Sequence, residues 1–136
     1  MILRIKRKIR LSETDATGII YFTNLLKFGC EIFEDYLHSK FKQQGETFQT
    51  SSILLPIVDV KASFVSQITI GDEITVILEK VEAKQTSLTT KVRIEKEGRL
   101  VANVCLVHVV LSRETKKKVP IEQCKYLLYQ ESCSEV

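Results

Sequence analysis

Residues 12–37 read SETDATGIIYFTNLLKFGCEIFEDYL, and the rest of the chain is organised around this passage. A polar turn holding Asp15 passes through Gly18 into a segment whose apolar residues Leu25, Phe28, Ile32, Phe33, Tyr36 and Leu37 recur at spacings of three and four. That is the period of one buried stripe on a helix. Asp15 therefore stands just upstream of a helix start. The first amides of a helix have no intrahelical acceptor and carry the positive end of its dipole, so they attract an anion or a polarised carbonyl.

On the N-terminal side, Leu3, Ile5, Ile9 and Leu11 alternate with Arg4, Lys6, Lys8 and Arg10, the pattern of a half-buried strand with a solvated basic face. On the C-terminal side, His38 to Ser52 is polar and reads as a surface connection. Period two then takes over. Val58, Val60, Ala62 and Phe64 alternate with polar residues, Gly71 and Asp72 make a turn, and Ile74, Val76 and Leu78 start the next strand. Thr86 to Lys96 is a further run, and Glu97 with Gly98 forms a tight hairpin into Leu100–Leu111. There Ala102, Val104, Leu106, His108 and Val110 share one face, and both faces are largely apolar, which predicts a central strand or an interface. The expected order is strand, long helix, then four strands joined by short turns. Such a chain makes an antiparallel sheet curved around one helix, an α+β fold. Beyond Arg113 come the Lys116 to Lys118 run, Val119, Pro120 and a short amphipathic stretch from Tyr126 to Tyr129, with fraying expected from about residue 130.

The chain's 136 residues suit a single domain spanning 1–136. Hydrophobic content of 44% beside 27% charged residues is that of a globular protein, and the charge of +3 is too mild and too unclustered for a nucleic-acid partner. Cys30, Cys105, Cys124 and Cys133 form no CxxC pair and follow no secretory leader, so they read as reduced thiols in a cytoplasmic protein. The two histidines, His38 and His108, are far apart and no metal-ligand spacing is present. No apolar run approaches the roughly 18 residues of a membrane span.

The block TDATGIIYFTN before the helix, with Asp15, Gly18 and Tyr21 in a D-x-x-G-x-x-Y/F pattern, is followed by LPIV at Leu55–Val58 and the Gly71–Asp72 turn. Over roughly Ile5 to Ile121 the chain resembles the hotdog-fold acyl-CoA thioesterases of the 4-hydroxybenzoyl-CoA thioesterase type. The resemblance implies hydrolysis of an acyl-CoA thioester with no cofactor beyond the coenzyme A carried by the substrate. It also implies a catalytic carboxylate at Asp15, and a homodimer or homotetramer in which two subunits complete each other's sites. Phe22 stands where the branch similar to the Tol-Pal-associated thioesterases has a histidine. YFTNLL followed by CEIFED looks closer to the 1,4-dihydroxy-2-naphthoyl-CoA thioesterases of phylloquinone and menaquinone synthesis, whose glutamate Glu31 matches, with Cys30 in place of their preceding histidine. An aromatic or medium acyl group is the implied substrate.

Physical chemistry assigns roles beside that resemblance. The amides of Tyr21, Phe22 and Thr23 are suited to hold the thioester oxygen, while Asp15 acts as a general base on water or as a nucleophile. Gly18 shapes the turn at the substrate pocket, and Asn24 orients substrate or caps the helix. An acyl group running along the first helical turns would meet Phe22, Leu25, Leu26 and Phe28, with Glu31 at the deeper end as a second carboxylate or as an ion-paired core residue. His108 reads as a hydrogen-bonded core histidine. Arg113, Lys116, Lys117 and Lys118 are candidate partners for the phosphates of coenzyme A, or a solvated basic turn. The alternative to an enzyme is a catalytically silent hotdog module that binds an acyl-CoA or a partner protein.

Overall fold

The computed structural model describes residues 2–128 and the backbone of Ser134 and Glu135. The alternating N-terminal segment forms β1 (Leu3–Lys8), a 3-10 turn covers Leu11–Glu13, and the apolar stripe forms the 22-residue helix α1 (Phe22–Gln43). There follow β2 (Ile53–Leu54), β3 (Ile57–Phe64), β4 (Glu73–Ala83), β5 (Ser87–Lys96), β6 (Arg99–Val109), β7 (Leu111–Ser112), 3-10 turns over Ile121–Leu127 and β8 (Ser134–Glu135). Most of the expected fraying after residue 130 lies outside the described residues, as does Tyr129, whereas Ser134–Glu135 pair in parallel with Leu3 and Arg4.

Six strands make one sheet in the order β3-β6-β5-β4-β1-β8, and β2 pairs with β7 in a separate two-stranded ribbon. The hairpin between β5 and β6 turns on Glu97 and Gly98, both at positive φ, as a tight two-residue loop demands. One expected connection differs. β3 and β4 are not a hairpin, because β3 pairs only with β6 at the sheet edge while β4 lies between β5 and β1. Residues 65–72 therefore carry the chain from β3 to β4 past the strand ends, where Val65 N donates to Val101 O and Gly71 N to Ile9 O. Period two reports which face a residue takes but not which strand lies beside it.

α1 lies on the concave face and buries Leu25, Phe28, Ile32, Phe33, Tyr36, Leu37 and Phe41 against Val76, Leu78, Leu88, Val92, Val104 and Leu106. Gly29 allows the closest approach: a Cβ there would meet Val104 Cγ1 at 3.0 Å. Glycine within a helix costs about 1 kcal/mol relative to alanine, here offset by helix-to-sheet contact. Two expectations change. The helix continues through His38–Gln43, because the buried stripe extends to Phe41, so the polar connection starts only at Gln44. Leu11 does not share the buried face of Ile9, since the chain leaves the strand into the 3-10 turn and Leu11 is 72% exposed. The face of β6 from Ala102 to Val110 is buried, as its alternation predicted.

Candidate functional site

Asp15 sits on a loop closed at its base by hydrogen bonds. The Tyr21 amide donates to the Glu13 carbonyl at 2.9 Å, Asn24 Nδ2 donates to that same carbonyl at 3.0 Å, and Thr14 bridges Ile20. Within the loop the Asp15 amide donates to Ile19 O at 2.9 Å and Gly18 takes φ +78°, the left-handed conformation that glycine tolerates. The segment crossing from β3 to β4 holds the loop's outer side, with Ile20 N donating to Ile68 O at 2.8 Å and Ile70 N to Gly18 O at 2.9 Å. α1 then starts at Phe22, with Tyr21 as an N-cap that offers no side-chain acceptor.

The helix mouth therefore differs in one donor from expectation. The Tyr21 amide is committed to Glu13, whereas the amides of Phe22 and Thr23 have no acceptor among the described residues. Beside them opens a groove of about 510 Å³ lined by Asp15, Ile19, Ile20, Tyr21, Phe22 and the Phe64–Gln67 segment. The aromatic rings of Tyr21 and Phe22 stand 5.0 Å apart, half exposed, and Phe64 and Val65 are exposed across from them. Sequence reading missed the Phe64–Gln67 wall. Its signal is the break in alternation after Phe64, where Val65 is exposed and Ile68 fully buried.

Other expected lining residues lie elsewhere. Leu25 and Phe28 are in the core, closed off by the sheet, and Leu26 packs at the edge of that core rather than in the groove. Glu31 is not at the deep end of this groove; it is half exposed and faces Arg7 and Lys27, each at 3.7 Å. Asn24 does not cap the helix; its Nδ2 ties the loop to the first turn of α1 by donating to the Glu13 carbonyl. Arg113 is turned inward, its guanidinium donating to the carbonyls of Ser51 and Phe48, so it is a clamp on the loop after α1 rather than an open phosphate partner. Lys116, Lys117 and Lys118 are exposed on the turn next to it. This turn lies beyond the Ile57 end of β3, and Asp15 lies near the Phe64 end.

The Asp15 carboxylate is exposed, and both Thr17 hydrogen bonds, from its hydroxyl at 2.5 Å and its amide at 2.8 Å, fall on Oδ1. These bonds hold its pKa below the usual aspartate value, so it is ionised at neutral pH with Oδ2 left free of both. Burial, with Glu31 and Glu34 nearby, pushes the Cys30 thiol up, so Cys30 stays protonated and is no competing nucleophile. His108 departs from expectation: it is buried against Phe33 at 4.3 Å between ring centroids, but its Nδ1 has no partner among the described residues, and burial pushes its pKa down to about 4. Among the described residues no group of His, Cys, Asp and Glu converges on a metal position, and no helix is long and apolar enough to cross a membrane.

With that geometry in place, comparison with known proteins is informative. The family model described as the thioesterase-like superfamily matches residues 9–125. A 1,4-dihydroxy-2-naphthoyl-CoA hydrolase of Rippkaea orientalis is 28% identical over 120 residues, covering 86% of this chain and 87% of the relative. The crystal structure of a 1,4-dihydroxy-2-naphthoyl-CoA thioesterase from Synechocystis superposes with a TM-score of 0.74 at 25% identity, covering 88% of this chain and 89% of that one. A probable thioesterase from Escherichia coli gives a TM-score of 0.80 at 16% identity, covering 95% and 100%, a likeness of fold. The sheet wrapped around a single long helix is the hotdog fold of these neighbours.

Proposed function

The chain belongs to the thioesterase-like superfamily, and from that premise we propose that it hydrolyses the thioester of an aromatic acyl-CoA, of hydroxybenzoyl or dihydroxynaphthoyl type, with Asp15 as the catalytic carboxylate. One observation carries this reading. An ionised, exposed carboxylate stands at the rim of a groove lined by Tyr21, Phe22 and Phe64, beside a helix start whose Phe22 and Thr23 amides lack acceptors. The activities of the relatives from Rippkaea orientalis and Synechocystis support the aromatic substrate.

In this reading the thioester oxygen lies against the Phe22 and Thr23 amides, which stabilise the negative charge that develops there. Asp15 Oδ2 either takes a proton from water as it adds to the carbonyl carbon, or attacks that carbon itself to form an anhydride that water opens. In both routes the carbon–sulfur bond breaks and coenzyme A leaves as a thiol. The aromatic lining at Tyr21, Phe22 and Phe64 suits an aryl group, and the substrate brings the only coenzyme the chemistry uses. Free thiols at Cys30, Cys105 and Cys124 support a reducing, cytoplasmic setting.

The working unit in this reading is a homodimer, with a tetramer as two such pairs. Along β3 every residue is exposed, Ile57, Val58, Val60 and Phe64 included, and its outer edge is unpaired among the described strands. A long apolar edge invites a second copy. Antiparallel pairing of two β3 strands would set the Ile57 end of one beside the Phe64 end of the other. The exposed Lys116, Lys117 and Lys118 of the second copy would then approach this copy's groove, where they could meet the coenzyme A phosphates.

A panel of benzoyl-, hydroxybenzoyl-, dihydroxynaphthoyl- and straight-chain acyl-CoA thioesters tests the reading. Hydroxylated aryl-CoA should have the highest kcat/KM. Preference for straight-chain acyl-CoA would overturn the aromatic assignment and leave a general thioesterase, and no turnover of any thioester would favour the silent binding module.

A further inference from the structure

Asp15 is exposed and bonded only within its own loop, so something else must set its distance from the helix start. We propose that Glu13, held by Arg7, is a positioning residue that fixes the catalytic loop on the mouth of α1; this rests on the reading of Asp15 as catalytic.

Glu13 is a nearly buried carboxylate, 8% exposed, on the last residue of the 3-10 turn. Its side chain joins two points of the N-terminal strand region: Oε1 accepts the Arg10 amide at 2.9 Å and Oε2 pairs with the Arg7 guanidinium. Its backbone joins two points of the helix start, because the Glu13 carbonyl accepts both the Tyr21 amide and Asn24 Nδ2. One residue thus ties β1 to α1, two positions before Asp15. Arg7 is itself fixed, with its guanidinium carbon 3.9 Å from the centre of the Phe28 ring and a longer contact to Glu31 at 3.7 Å. Phe28 is a core residue of α1, so the guanidinium over its ring is fixed to the helix whose mouth the loop must face. A planar fork serves this geometry better than a flexible ammonium, since it can stack and hold a carboxylate at once. Partly buried charge pairs contribute little net stability against apolar replacements, but they define a single arrangement where loss of one partner leaves the other uncompensated. Here the arrangement so defined is the spacing between the Asp15 carboxylate and the Phe22 and Thr23 amides.

The isosteric Glu13→Gln removes the charge and keeps an oxygen for the Arg10 amide. A misplacement of about 1 Å costs up to about a hundredfold in rate. Glu13→Gln should therefore lower kcat on the best aryl-CoA by about ten- to a hundredfold with KM within about threefold. Acting only through Asp15, it should add no further loss when combined with Asp15→Asn, measured at high enzyme concentration against Asp15→Asn alone. Arg7→Lys, which keeps the charge but not the fork, serves as a second variant in the same cycle and should give an intermediate kcat. Equal fractional losses in the parent and Asp15→Asn backgrounds, or no loss in either, would overturn the positioning role. Parental turnover by Asp15→Asn alone would instead overturn the catalytic reading of Asp15, and this proposal with it.

Discussion

The two ends of α1 are built to opposite specifications. At the N-terminal end Tyr21 and Phe22 are half exposed, no side chain caps the helix, and the amides of Phe22 and Thr23 are unsatisfied within the described chain. At the C-terminal end the stripe closes on Phe41, 2% exposed, whose ring meets Phe48 edge-on at 5.3 Å. There the helix carbonyls are taken up in turn: Gln44 and Glu46 donate to Phe41 O, and Gly45, at φ +71°, donates to Lys42 O. Arg113 then clamps the following loop, and Tyr36 donates its hydroxyl to Leu127 O. One helix thus separates its tasks. The closed end holds the fold together, and the open end keeps polar groups and aromatic surface available for a ligand.

That division can be broken most strongly at the closed end. Phe41→Ala should destabilise the protein by about 3–5 kcal/mol, the usual cost of truncating a buried phenylalanine. Chemical denaturation checks the loss, and kcat of the remaining folded protein should be unchanged. A large fall in kcat with little loss of stability would mean that the two ends are not separable.

Acid should act on the same closed half. His108 is buried neutral with its pKa pushed down to about 4, whereas an unfolded histidine titrates near 6.5, so the unfolded state binds the proton more readily. Stability is therefore fully present above about pH 6.5 and declines as pH falls towards about 4, by on the order of 3 kcal/mol. His108→Leu should flatten that part of the pH–stability curve relative to the parent. An unchanged slope in His108→Leu would assign the acid sensitivity elsewhere.

The smallest expected effect sharpens the boundary of the open end. Glu31 is half exposed and its ion pairs are long, so Glu31→Ala should cost about 0.5 kcal/mol or less and change kcat/KM by less than about twofold for hydroxylated and plain aryl-CoA alike. Selective loss of the hydroxylated substrate would instead extend the ligand site two helical turns further along α1.

Local patterns in the sequence carried much of this. Alternation marked β1, β5 and β6, the Glu97–Gly98 pair marked its hairpin, and Asp15 with Gly18 marked the loop before the helix. What escaped depends on residues distant in the chain. The helix end was hidden because Phe41 is buried by Phe48, Ile53 and the segment clamped by Arg113, while its sequence neighbours are polar. β3 reads as half-buried by its alternation, yet every residue of it is exposed at the sheet edge, where β6 is its one neighbour among the described strands. The groove wall at Phe64–Gln67 follows from the crossing of β3 to β4, which no local pattern encodes. Glu13 was visible only as part of a polar turn; its burial comes from Arg7, six residues earlier and on another element.

The central claim is that Asp15 performs the chemistry at the open end without contributing to the fold. Turnover of hydroxylated aryl-CoA by Asp15→Asn, with thermal melting of the same preparation, tests it most directly. The account predicts at least about a hundredfold lower kcat, the loss expected for a nucleophile or general base, with the melting temperature essentially unchanged because the carboxylate is exposed. Turnover within about threefold of the parent would contradict it.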